Sequence, residues 1–162
     1  MDRLLDERMM RRAIELARAA LGATGDNPAV GCVIAADDYV VAEAATAPAG
    51  RPHAEESALA FAGAETWGST AYVTLEPCAE RSSGGLSCSE LLIAAKVARV
   101  VIASADPSSK ASGRGEERLL AAGIAVETGF LAAEADPLYA EYRRRYSSRA
   151  FRGRDALTGQ RA

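Results

Sequence analysis

The sequence has 162 residues, 49% hydrophobic and 25% charged, with a formal net charge of −3 and a pI of about 5.3. That length suits one domain whose core needs no disulfides. The composition excludes a disordered chain, a collagen-like repeat and a disulfide scaffold. No apolar run reaches the roughly 18 residues of a membrane span. The start, Met1-Asp2-Arg3-Leu4-Leu5-Asp6-Glu7-Arg8, bears acids and lacks the apolar stretch of a signal peptide. An acidic body has no general attraction for nucleic acid, so neither membrane nor nucleic acid is expected as a partner, and the expected location is the cytoplasm.

Residues 5 to 21 read as an amphipathic helix, with Met9, Ala13, Leu16, Ala17, Ala20 and Leu21 at helical spacing. Turn residues from Gly22 to Pro28 end it. Val30 to Ile34 is a short apolar strand, Asp37-Asp38 a tight turn, and Tyr39-Val40-Val41 the start of a return strand. A loop from Thr46 to Pro52 leads to His53, which opens a helical segment with Ala54, Ser57, Ala58 and Phe61 at helical spacing. Ala71 to Leu75 is a strand that stops at Pro77. Arg81 to Ser87 is a loop of small residues and Ser89 to Ala95 a helix. Arg99 to Ala103 is a buried strand, Glu116 to Ala122 a helix closed by Gly123, and Ile124 to Val126 a last strand. A final helix spans Ala132 to Arg145, with Pro137 imposing a late start or a kink. The alternation gives a layered α/β sheet, and the opening hairpin makes it mixed. From Arg143 to Arg161 there are seven arginines and one acid. The folded body therefore runs over 1–145, and 146–162 reads as a solvated, flexible basic tail, with a polyanion contact as its other use.

Three cysteines and one histidine carry the chemistry. An odd cysteine count without an export signal argues against a disulfide framework. His53-Ala54-Glu55, then Pro77-Cys78, then Cys88 offer one imidazole and two thiolates. That set suits one catalytic Zn²⁺ whose fourth position is left to water. His53 and Cys88 fall at helix starts and Cys78 just past a strand. The positive end of a helix favours thiolate. Glu55 lies two residues past His53, within reach of the metal without being a ligand. The pattern His-x-Glu … Pro-Cys-x-x-Cys is the signature of zinc deaminases, in which the glutamate moves protons. Cys32, in mid-strand, reads as a small core residue.

Asn27-Pro28-Ala29-Val30-Gly31-Cys32-Val33-Ile34, Pro52-His53-Ala54-Glu55 and Ala71-Tyr72-Val73-Thr74-Leu75-Glu76-Pro77-Cys78 resemble the cytidine-deaminase-like superfamily. They look most like the deaminase domain of the bacterial riboflavin-biosynthesis deaminase/reductases, from about Asp6 to about Gly129. The nine residues between Cys78 and Cys88 match the long-insert branch. The resemblance implies a three-layer αβα fold around a five-stranded mixed sheet. It implies zinc on His53, Cys78 and Cys88, Glu55 as proton shuttle, Asn27 against the substrate ring, and a homodimer. Asn27 also suits a plain turn before Pro28. The implied reaction removes an exocyclic amine from a diamino-ribosylamino-pyrimidinone 5′-phosphate, with any reductase step left to another protein. The insert departs from the usual Ser-His-x-Gly-x-Thr-Pro-Pro, and Thr46 stands where the family tends to have a histidine. Both positions flank the expected substrate. The alternative is another small aminated heterocycle, a nucleobase or nucleoside such as cytosine or guanine. For a phosphate, Arg81, and Lys110 with the amides of Gly113-Arg114-Gly115, offer charge and donors. Lys110 also reads as an ordinary loop lysine.

Overall fold

The computed structural model describes residues 2–82 and 84–147. From residue 148 on, the expected basic tail lies outside the described residues, while 146 and 147 continue a helical run over 140–147. The elements, in order, are α1 (Arg3–Ala20), β1 (Gly31–Ala36), β2 (Tyr39–Ala45), α2 (Ala54–Ala62), β3 (Thr70–Leu75), α3 (Cys88–Ala94), β4 (Arg99–Ser104), α4 (Arg114–Ala121), β5 (Ala125–Thr128) and α5 (Ala132–Ala135). The strands form one sheet in the order β2-β1-β3-β4-β5. β1 runs antiparallel to β2 and β3, and β3, β4 and β5 run parallel. The mixed five-stranded sheet expected from the hairpin and the later alternation is present.

Strand periodicity sorts the core into two layers. On β1, Cys32 and Ile34 face one side and pack with Ala54, Ala58, Val73, Leu92, Ile102 and Leu119. Val33 and Ala35 face the other side and meet Met9, Met10, Ala13 and Ile14 of α1. Gly31 lets α1 close on the sheet, because a Cβ there would lie 1.9 Å from the Ala13 carbonyl oxygen. The return strand β2 starts at Tyr39, as expected, and runs to Ala45. Its pairing slips between Ile34 and Ala35, so Ala42 and Val40 are matched and Val41 is skipped. That bulge breaks the alternation that would have marked the full strand.

The last helix is interrupted at its proline, as expected. α5 gives way to a 3₁₀ turn over Asp136–Tyr139 with Pro137 in its first turn, and the helical run 140–147 follows. Tyr139 is fully buried, and its hydroxyl meets the Thr74 hydroxyl at 2.6 Å. Thr74 also accepts the Gly31 N–H at 2.9 Å. The end of the described chain is thereby tied to the middle of the sheet.

Beneath the sheet edge, Asp6 is buried and accepts two bonds from Arg99, at 2.7 and 3.0 Å, and one from the Tyr72 hydroxyl at 2.6 Å. Arg99 also pairs with Glu127 at 2.6 Å. A buried ion pair is tolerated only when its remaining donors and acceptors are matched, and this cluster meets that condition with residues from α1, β3, β4 and β5.

Candidate active site

Two helix starts and one strand end converge. His53 is the N-cap of α2, Cys88 is the first residue of α3, and Cys78 lies three residues past β3. α2 links β2 to β3 and α3 links β3 to β4, and the two helices pack against each other. His53 Nδ1 lies 3.3 Å from Cys88 Sγ and 4.0 Å from Cys78 Sγ. One ligand atom from each of the three residues lies within 4.8 Å of the others. Nitrogen and two sulfurs at this spacing are what a tetrahedral Zn²⁺ takes, so the residues fit the ion. Among the described residues all three cysteines are unbridged.

Each ligand is held by its backbone. Ser87 caps α3, with its hydroxyl accepting the Glu90 N–H and its own N–H donating to the Glu90 carboxylate at 2.8 Å. The Cys88 N–H points at Cys78 Sγ at 3.3 Å. The Cys78 carbonyl accepts from the Ser89 N–H and the Ser89 hydroxyl, both at 3.1 Å. On α2, Glu56 accepts the His53 N–H at 3.1 Å.

The electrostatics fit a cation. The hydrogen bond with Cys88 and, against the cost of burial, the imidazole of His53 pull the Cys78 thiol down to about 4. Cys88 is pushed up, first by sharing that bond with Cys78 and then by burial. A dication would displace the remaining proton and hold both as thiolates. Glu55, 3% exposed, is pushed up to about 7 by burial, with the Cys78 charge adding and the His53 charge opposing. A carboxyl near neutrality is suited to pass protons at physiological pH.

A narrow cavity lined by Pro28, Val30, Thr46, His53, Glu55 and Cys78 leads to these groups. A wider cleft beside it is bordered by Asn27, Arg51, Arg81, Lys110, Asp106 and Tyr142. Every residue singled out for substrate contact thus lies on one of the two. Their side chains are differently committed, however. The Thr46 hydroxyl donates to the Pro28 carbonyl at 3.1 Å and accepts the Val30 N–H at 3.0 Å, clipping the end of β2 to the entry of β1. Asn27 donates to the Gly50 carbonyl at 3.3 Å. The Lys110 carbonyl accepts the N–H groups of Ala79 and Glu80 at 2.8 and 3.2 Å, so its backbone supports the insert.

One expectation needs correcting. The amides of Gly113 and Gly115 are not open to a phosphate. They donate to the Glu76 carboxylate at 3.0 and 3.1 Å, and Glu116 adds a weaker bond at 3.4 Å. Glu76 is buried and caps α4 from across the chain. The close approach also explains Gly115, where a Cβ would lie 2.0 Å from the Pro77 carbonyl oxygen.

Three residues to which the sequence assigned no role help to build the site. Glu76 stood in the Leu75-Glu76-Pro77-Cys78 motif without a role. An acid at the end of an apolar strand was its only signal. Arg118 braces the insert, donating to the Ala79 carbonyl at 2.5 Å and the Ser87 hydroxyl at 3.1 Å. Asp106 is buried in the cleft wall, accepting the Ser108 N–H at 2.8 Å and the Tyr142 hydroxyl at 3.2 Å. No local pattern pairs residues 106 and 142.

A layered sheet that presents a three-ligand metal cluster, with a buried acid beside it and a cleft in front, is the frame of a hydrolytic metalloenzyme. The chain belongs to the cytidine and deoxycytidylate deaminases, whose zinc-binding region matches residues 4–104; it is a zinc-dependent deaminase domain. It is 44% identical over 126 residues to the diaminohydroxyphosphoribosylamino-pyrimidine deaminase of Buchnera aphidicola, covering 78% of this chain and 85% of that protein. It is 47% identical over 133 residues to the Escherichia coli riboflavin biosynthesis protein RibD, covering 82% of this chain and 36% of that protein. The chain therefore spans about a third of that longer relative. Among solved structures, Acinetobacter baumannii RibD superposes with a TM-score of 0.84 at 43% identity, over 89% of this chain and 40% of that one. No helix among the described residues is long and apolar enough to cross a membrane.

Proposed function

We propose that this chain hydrolytically removes an exocyclic amine from diaminohydroxyphosphoribosylaminopyrimidine, a step of riboflavin biosynthesis. The observation that carries the reading is the convergence of His53, Cys78 and Cys88 beside buried Glu55, at the foot of a cleft bearing Arg51, Arg81 and Lys110. The name of the Buchnera relative, most of which this chain matches, supports the same substrate.

His53, Cys78 and Cys88 would hold the zinc, which when bound would supply the Lewis acidity that activates water near neutral pH. Glu55 takes one proton from the attacking water and passes it to the ring nitrogen, then takes the proton of the newly attached hydroxyl and passes it to the departing amine. The carbon gains an oxygen, its bond to nitrogen breaks, and ammonia leaves. The narrow cavity excludes bulk water from Glu55, which keeps its carboxyl near neutrality. Asn27 at the rim faces the ring. Arg81 and Lys110 face the phosphate, and Thr46 shapes the wall, its hydroxyl being spent on backbone. The reading carries a cytoplasmic location and a homodimer.

A second substrate class follows from two observations. The Thr46 hydroxyl and the α4 amides are both committed internally. Without those contacts the cleft suits a smaller aminated heterocycle such as cytosine or guanine. Ammonia release from zinc-loaded protein decides between them. Turnover of the phosphorylated pyrimidine and not of free bases or nucleosides supports the first reading. Turnover of a base or nucleoside alone overturns it.

A further inference from the structure

The cleft holds one polar arrangement that the proton chemistry does not use. Glu56 follows Glu55 in the first turn of α2. Its Oε2 accepts the His53 N–H at 3.1 Å and also pairs with Nη2 of Arg81. One carboxylate therefore joins the helix of a metal ligand to the insert between the two cysteines. The Arg81 side chain is only 12% exposed. Its Nε is buried and finds no acceptor among the described residues. A buried donor left unmatched is costly, and a guanidinium offers its donors in a fixed fork that suits phosphate oxygens. Glu56 holds Nη2 of that fork and so sets the plane in which the guanidinium presents its remaining donors. Arg51 and Lys110 border the same cleft. Of the acids there, Asp26 pairs with Arg145, Glu80 pairs with Arg114, and Asp106 is engaged by Ser108 and Tyr142.

We propose that Glu56 is a positioning residue, which fixes the Arg81 guanidinium in the cleft so that it reads the phosphate monoester of the substrate. The inference takes its substrate class from the deaminase reading above. The role belongs to this chain's own insert. Long side chains such as arginine lose rotamer freedom when ordered, and Glu56 orders this one before the ligand arrives. Because Glu56 acts through Arg81, its effect on ligand binding disappears when Arg81 is absent.

The test uses zinc-loaded protein and ribose 5-phosphate, with binding measured by calorimetry. Glu56→Gln keeps an oxygen for the His53 N–H and removes the charge that holds Arg81. It should weaken ribose 5-phosphate binding about tenfold, the worth of one charge-assisted hydrogen bond, with zinc content unchanged. Arg81→Gln should weaken it at least as much, and adding Glu56→Gln to Arg81→Gln should cost nothing further. Unchanged binding in Glu56→Gln overturns the proposal, as do independent losses that multiply in the double variant. A wild-type protein that does not bind ribose 5-phosphate also overturns it. Ammonia release from the phosphorylated pyrimidine is a separate arm. There Glu56→Gln should raise KM about tenfold with kcat nearly unchanged. Phosphate binding without turnover would sink the deaminase reading and leave the anion site standing. Turnover with KM unmoved in Glu56→Gln would sink the role of Glu56 alone.

Discussion

Replacing Glu76 with alanine tests how the metal loop is held. The carboxylate accepts the Gly113 and Gly115 N–H groups at 3.0 and 3.1 Å, and more weakly that of Glu116. It does so from the end of β3, two residues before Cys78. Truncation leaves the first amides of α4 without an acceptor and unties the Pro77-Cys78 turn from that helix. Bonds to a charged acceptor contribute about 1.5 kcal/mol or more each. The two shorter ones together give about 3 kcal/mol. For a domain of this size that corresponds to a fall in Tm of roughly 6–12 °C. Thermal unfolding of the zinc-loaded protein, followed by circular dichroism, measures it. Glu76→Gln keeps one acceptor oxygen and should fall between the two. If Glu76→Ala melts within about 2 °C of the wild type, well inside that expectation, the carboxylate is not what holds the turn.

Gly115→Ala forces a methyl group to within 2.0 Å of the Pro77 carbonyl oxygen, so α4 must move away from the Cys78 turn. Overpacking of this kind costs about 1–3 kcal/mol, and chemical denaturation should show that loss together with weaker zinc retention. Cys78→Ala and Cys88→Ala should each lose the metal, read by zinc analysis after dialysis, and full stoichiometry in both would overturn the ligand assignment. For Asp6, burial lifts the carboxyl, but the Arg99 and Tyr72 hydrogen bonds outweigh it and leave it below the usual 3.8. A lowered pKa in the fold means that its stabilisation is complete above the unfolded value and fades as pH drops through the folded one. Asp6→Asn should therefore melt well below the wild type at pH 7, with the gap closing below about pH 4; a gap independent of pH would contradict the pairing.

The sequence made the metal site legible because its chemistry is local. His53, Glu55, Cys78 and Cys88 each sit at a helix start or a strand end, and the break in apolar periodicity marks such places. The sheet was legible for the same reason, since Cys32 and Ile34 alternate with Val33 and Ala35 on opposite faces. What stayed hidden depends on pairings across long separations. Glu76 reaches the amides of α4 nearly forty residues on, and nothing near residue 113 shows that those donors are already taken. Thr46 reads as a loop residue facing a ligand until the β1–β2 pairing places its hydroxyl between Pro28 and Val30. The Asp6–Arg99–Tyr72 cluster joins three elements, and no periodic pattern announces a buried charge.

The most direct test of the account pairs zinc content with ammonia release in the wild type and in Glu55→Gln. Glu55 lies outside the three-residue metal cluster, so one zinc per chain is expected in both proteins. Turnover of the phosphorylated pyrimidine by the variant should drop by about a thousandfold, because the group that carries the proton is gone. Undiminished turnover in Glu55→Gln, or a wild type that binds no zinc, would contradict the account at its centre.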